Sequence, residues 1–175
     1  LESRSVLANI YYMQSKYKEA EAMHSQVLEI RRRILGPNHL DTLMSVLNLG
    51  ASYNGQGKYK DGERIYSDNL PVMRRVLGQE HRVTLAMTSN LAVAFESQGN
   101  YSQAEPLYKE VVEIRSRVMG PEHPDTLTTM HNLALNQQLL GKYAEAEALF
   151  QKTLEIRRRV LGQEHPQTLL TLAVF

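Results

Sequence analysis

Four histidines, His39, His81, His123 and His165, stand 42 residues apart, each three residues after a glycine and three before a Thr-Leu pair. Asp41 and Asp125 lie two residues beyond two of them. Imidazole beside carboxylate is the pairing from which zinc sites and acid–base centres are built. Such a pair catalyses only with a nucleophile in reach, and Val83 and Gln167 replace the aspartate in the other two copies. No glycine cluster precedes a Lys-Ser/Thr pair, and no Ser-His-Asp order stands out. Cysteine is absent, so disulfides and thiolate zinc sites are excluded. The reading is therefore no catalytic residue, no metal and no cofactor. The four histidines become structural loop residues that hydrogen-bond backbone between one unit and the next.

The elements that hold these histidines follow from their spacing. Gly36, Gly78, Gly120 and Gly162 keep the 42-residue step, as do Thr42, Thr84, Thr126 and Thr168, and Tyr17, Tyr59, Tyr101 and Tyr143. Glu21, Glu63, Glu105 and Glu147 keep it too, with no insertion or deletion anywhere. A fixed period in the range of about 20–50 residues marks stacked supersecondary units, none of which buries its apolar face alone. Two helices fit one period. In the fourth, Asp125 or Thr126 can cap a helix whose Leu127, Met130, Leu133 and Ala134 recur at helical spacing and which stops at Gly141. A second helix then carries Ala146, Leu149, Phe150, Leu154, Ile156 and Val160 and ends at Gly162. No alternating strand pattern occurs. The spacing predicts helices over 1–14, 18–35, 41–56, 60–77, 83–98, 102–119, 125–140 and 144–161, with a stub from 167. Pro71, inside the fourth of these, is expected to kink or break it between Ser67 and Pro71, and Gly62 weakens the same helix.

Composition narrows the function classes. Twenty basic and nineteen acidic residues leave a net charge of +1, which offers nucleic acid no basic stripe. No apolar run reaches the ~18–20 residues of a membrane span, and the N-terminal residues lack the pattern of a signal peptide. The expectation is a soluble, cytoplasmic protein. Arg33, Arg75, Arg117 and Arg159 recur, with Glu29, Glu113 and Glu155 four residues before three of them. The runs at 31–33 and 157–159 accordingly read as a solvated, ion-paired outer face rather than an anion-binding rim. His24 takes the position held elsewhere by Tyr66, Tyr108 and Phe150, so it reads as a core residue.

Small residues at Gly50, Ala92 and Ala134, aromatics at Tyr53 and Phe95, Ala104 and Ala146, and then Tyr66, Tyr108 and Phe150 give a helix-turn-helix that resembles the tetratricopeptide repeat. The 42-residue step, Asn132-Leu133-Ala134, Gly141-Lys142-Tyr143 and the run from Glu155 to Thr168 look like the kinesin light chain subfamily. The chain is also similar to repeat arrays that follow a nucleotide-binding switch domain in fungal and bacterial signalling proteins. Departures are Gln137 for an aromatic, Pro71 for Glu, and Val83 and Gln167 for Asp. The resemblance implies an all-α, right-handed solenoid of stacked helix pairs, an α-α superhelix. It implies one array over 1–175, four periods and a partial fifth first helix, as a piece of a longer protein. Neighbouring units then sit roughly 10 Å apart, too far for their histidines to share a zinc ion.

The resemblance also implies that first helices line the concave side. At about 100° per residue, the side of each first helix away from its partner carries the candidate groove residues. These are Asn9, Tyr12 and Met13; Leu47, Asn48, Ala51 and Asn54; Ser89, Asn90, Val93 and Glu96; and His131, Asn132, Leu135, Gln138 and Leu139. Asn48, Asn90 and Asn132 recur once per repeat, and an amide that both donates and accepts suits an extended peptide backbone. The alternative is that they bridge neighbouring helices. The expected function is a protein- or peptide-binding scaffold of cargo- or partner-adaptor type. A sensor or autoinhibitory array of a nucleotide-binding signalling protein and a structural spacer or self-assembly module stay open. Expected partners are a protein or peptide in the groove, with no nucleic acid and no membrane. Apolar Leu169, Leu170, Leu172, Val174 and Phe175 add an expectation of end-to-end self-association.

Overall fold

A computed structural model describes residues 2–174. Among the described residues nine helices occur and no strand: α1 (Glu2–Met13), α2 (Tyr17–Leu35), α3 (Leu40–Gly55), α4 (Tyr59–Leu77), α5 (Arg82–Glu96), α6 (Tyr101–Val118), α7 (Pro124–Leu139), α8 (Tyr143–Leu161) and α9 (Pro166–Ala173). Leu1 and Phe175 lie outside the description. The helices gather into two compact units, Leu1–Gln98 and Gly99–Phe175. In each unit a helix packs chiefly on its sequence neighbours, so every unit is a stack of helix hairpins.

The repeated loop writes the start of each first helix. Gly36, Gly78, Gly120 and Gly162 take φ between +86° and +97°, backbone that only glycine adopts at no steric cost. The following histidine is the N-cap. The Nδ1 atoms of His39, His81, His123 and His165 accept the backbone N–H of Asp41, Val83, Asp125 and Gln167 at 3.2, 3.3, 3.1 and 3.2 Å. The cap is thus the histidine and not Asp125 or Thr126. Thr126 Oγ1 instead donates to the carbonyl of Gly120 at 2.9 Å, closing the loop from the other side. An acceptor at Nδ1 places the ring hydrogen on Nε2. The helices start one residue after the histidine because its extended backbone already supplies the first intrahelical acceptor.

Small residues set the approach of paired helices. A Cβ on Gly50 would overlap the buried ring of Tyr66, and Ala134, Ala146 and Phe150 form the corresponding core of the second unit. His24 is buried in the aromatic position, as its place in the repeat predicts. The break expected at Pro71 does not occur: α4 runs as one helix from Tyr59 to Leu77. Pro71 and Ser67, whose carbonyl loses its backbone donor, both face solvent, where water takes over. Leu70 and Met73 anchor the same turn in the core.

Candidate functional site

In the unit Leu1–Gln98, the first helices α1, α3 and α5 bring the asparagines to work on one another. Asn48 Nδ2 donates to Asn9 Oδ1 at 3.4 Å, linking α1 with α3. Asn54 Nδ2 donates to the carbonyl of Asn90 at 3.1 Å, and Asn90 Nδ2 donates to the Tyr66 hydroxyl at 3.2 Å. That hydroxyl in turn donates to the carbonyl of Leu47 at 3.2 Å. Asn54 bends towards α4 because Gly62 stands there without a side chain; a Cβ on Gly62 would overlap Asn54 Oδ1. Around these amides, Tyr12 and Met13 are exposed and Leu47, Ala51, Ser89, Val93 and Glu96 are half-buried. Met13, with 83% of its surface open, has no packing role to explain its apolar character.

In the unit Gly99–Phe175, α7 presents Asn132 and Leu135 half-buried and Gln138 and Leu139 exposed. The Asn132 amide makes no hydrogen bond among the described residues. His131 departs from the groove position that spacing gave it. It is only 5% exposed, lies edge-on to Phe150 with ring centroids 5.5 Å apart, and sits 3.4 Å from Thr171 Oγ1. Helix α9 covers it. Burial, and then the Arg157 charge, press its pKa down to about 4; burial and Arg31 do the same for His24, also to about 4. Both rings are neutral at pH 7.

The residues that sequence reasoning missed are arginines. Arg31 Nη1 donates to the Asp41 carbonyl at 3.1 Å and to Ser45 Oγ at 2.8 Å. Arg115 Nη1 repeats this with the Asp125 carbonyl at 3.1 Å and Thr129 Oγ1 at 2.6 Å. Arg157 Nη1 does so with the Gln167 carbonyl at 2.9 Å and Thr171 Oγ1 at 2.5 Å, and Nη2 adds the Leu127 carbonyl at 3.3 Å. Arg157 is 2% exposed, and burial lowers its pKa. The outer-face reading thus fails for the first arginine of each run and suits Arg159, which pairs with Glu122 at 2.6 Å. A signal existed: in the second repeat both partners change together, to Met73 and Met87, each fully buried.

A second set of links also recurs. Glu21 accepts from Gln56 at 2.5 Å and from Lys58 at 2.7 Å, Glu63 from Gln98 at 2.7 Å, and Glu105 from Lys142 at 2.6 Å. Burial would raise the Glu21 carboxyl, but its bonds from Lys58 and Gln56 outweigh that and hold it low. Bonds from Lys109 and Lys142 hold Glu105 low. These glutamates close the stack from one hairpin to the next.

No three His, Asp or Glu side chains gather into a metal-holding group among the described residues, and no described helix is long and apolar enough to cross a membrane. The first unit has an outer cleft of about 530 Å³ bordered by Glu29, Arg32, Tyr53, Asp61, Arg64 and Asp68. Its charges offset one another, as in the 3.7 Å pair of Arg64 with Asp61, so it favours no ligand of one sign.

Comparison with known proteins agrees with the geometry. A protein of Podosopora anserina assigned as a kinesin light chain with nearly identical TPR-like repeats matches at 29% identity and a TM-score of 0.85, over 98% of this chain and 81% of that one. BtubC (BKLC) from P. vanneervenii matches in fold at 22% identity and a TM-score of 0.83, over 99% of this chain and 70% of that one. A Rap protein complexed with Competence and Sporulation Factor shares the fold at 14% identity and a TM-score of 0.75, over 99% of this chain and 52% of that one. No curated protein matches the chain in sequence. The profile for the tetratricopeptide repeat matches residues 2–61, 43–116, 84–158 and 137–175, which together span the described helices. The chain therefore belongs to the tetratricopeptide repeat family, in its kinesin-light-chain-like form.

Proposed function

We propose that this chain is a cytoplasmic, non-catalytic adaptor that holds a protein or peptide partner against the exposed sides of its first helices. The observation that carries the reading is on α7. Asn132 keeps a free amide beside Leu135, Gln138 and Leu139, and Leu139 is 52% exposed although it serves no packing. A strip of apolar contact with an unused donor and acceptor is what an extended peptide engages. Asn48, Ala51 and Val93 provide the like surface on α3 and α5, with Asn90 held back by Tyr66.

Selection of random peptides on the purified chain, followed by calorimetry, tests this. Asn132→Ala combined with Leu135→Ala should weaken the selected peptides at least about tenfold, the scale of one lost hot spot, with thermal stability retained. Selected peptides that bind this variant as tightly as the wild type would overturn the reading. A second reading, end-to-end association of copies, is favoured by exposed Val6, Leu7, Ile10 and Met13 on α1 and Leu169, Leu170 and Leu172 on α9.

A further inference from the structure

The recurring polar links allow the register of such an association to be read residue by residue. Inside the chain a glutamate accepts from Gln or Lys located 35 or 37 residues further on, at Glu21, Glu63 and Glu105. An arginine likewise donates to Ser or Thr 14 residues on, at Arg31, Arg115 and Arg157. Glu147 is the fourth glutamate of this series; it is exposed, makes no bond among the described residues, and has no residue of this chain at either spacing. At the other end, Gln14 and Lys16 occupy the repeat positions of Gln56 and Lys58. Both are exposed and reach no carboxylate; Lys16 Nζ lies 5.8 Å from the Tyr11 ring centroid. Ser3 occupies the position of Ser45, Thr129 and Thr171, yet it is exposed where those three are buried. Ile10 is exposed at the position where Ser52, Ala94 and Asn136 are buried.

We propose that copies of this chain join head to tail, with α1 of one copy replacing α9 against α8 of the next. The inference rests on the end-to-end reading above and supplies its register. On docking, Arg157 exchanges Thr171 for Ser3 of the incoming copy, and Glu147 gains its Gln14 and Lys16. Helix α9 now holds the place with eight residues, leaves three leucines exposed, and makes no bond to Glu147. The contact joins unlike faces, so it propagates rather than stopping at a two-fold dimer. Because α9 is tethered, it competes at an effective concentration of millimolar order, and association sets in only at roughly 100 µM and above.

Sedimentation velocity on the full chain from about 20 µM to about 1 mM tests this. Glu147→Lys and Lys16→Glu should each weaken association about tenfold, and the two together in one chain should restore it, since the charges then match again in reverse. Thr171→Arg, which sets a second guanidinium against Arg157, should release α9 and strengthen association. Weaker association in that variant would show that α9 itself makes the contact and would overturn the proposal. Association indifferent to both charge reversals, or a double reversal that fails to restore it, would overturn the register while leaving end-to-end association standing. A strict monomer at the highest concentration would overturn both.

Discussion

Replacing Gly50 by Ala adds one methyl group where α3 meets α4. In most helices this exchange stabilises by about 1 kcal/mol, the difference in helix propensity. Here the added Cβ falls on the Tyr66 ring, which is fully buried. The ring cannot swing aside freely, because its hydroxyl is held by the Leu47 carbonyl and Asn90 Nδ2, each at 3.2 Å. Overpacking costs about 1–3 kcal/mol, and loosening two neutral hydrogen bonds costs about 1 kcal/mol each. Against the propensity gain, a net loss of about 2 kcal/mol remains. For a chain of this size that is a fall in Tm of about 4–8 °C. Thermal unfolding followed by far-ultraviolet circular dichroism measures it. Gly62→Ala is the comparison: its Cβ meets only the movable end of Asn54, so gain and loss nearly cancel and Tm should hardly move. Gly50→Ala with Tyr66→Phe should recover part of the loss, since Ala134 and Phe150 coexist in that arrangement in the second unit. A Gly50→Ala variant as stable as the wild type, or more so, would refute the reasoning.

Three further outcomes follow from the same geometry. His123→Ala should lower stability by about 1 kcal/mol by removing an N-cap acceptor, and leave binding of selected peptides unchanged; equal stability would count against the capping role. Ser15 is a non-glycine residue at φ +59°, where the corresponding positions are Gly57, Gly99 and Gly141, so Ser15→Gly should raise the urea midpoint by about 0.5–1 kcal/mol. His24 and His131 have folded-state pKa values of about 4, below the ordinary 6.5. The unfolded chain then binds their protons first, so stability is complete above pH 6.5 and falls as pH drops towards 4, by about 3 kcal/mol per residue. His24→Phe should flatten that slope in urea titrations between pH 7 and 4, and an unchanged slope would contradict the assignment.

The fold was legible because each repeat states it again. Four glycines, four histidines and an unbroken step leave one architecture, and helix ends followed within a residue or two. What escaped depended on partners outside the local pattern. Arg157 looks like any outer-face arginine until its carbonyl acceptors on the next hairpin are in place. His131 has the spacing of a surface residue, and only α9 buries it. Pro71 carries the sequence mark of a helix break, but its missing donor matters little where water reaches the carbonyl. Asn54 leans on Gly62, a coupling between helices that neither helix's periodicity contains.

The arginine links bear on how such a chain can change by recombination. Because the step is an uninterrupted 42 residues, unequal crossing-over between repeats inserts or deletes one hairpin without shifting the reading frame. Position of the crossover matters, however. Arg31 with Ser45, Arg115 with Thr129 and Arg157 with Thr171 are polar pairs, whereas Met73 with Met87 is apolar. A crossover falling within the fourteen residues that separate the two members mixes the types and faces a buried guanidinium with a thioether, or a methionine with a stranded hydroxyl. A crossover elsewhere in the period hands both members on together. The inherited module is therefore the junction between hairpins, and the hairpin itself is what lies between two permitted seams.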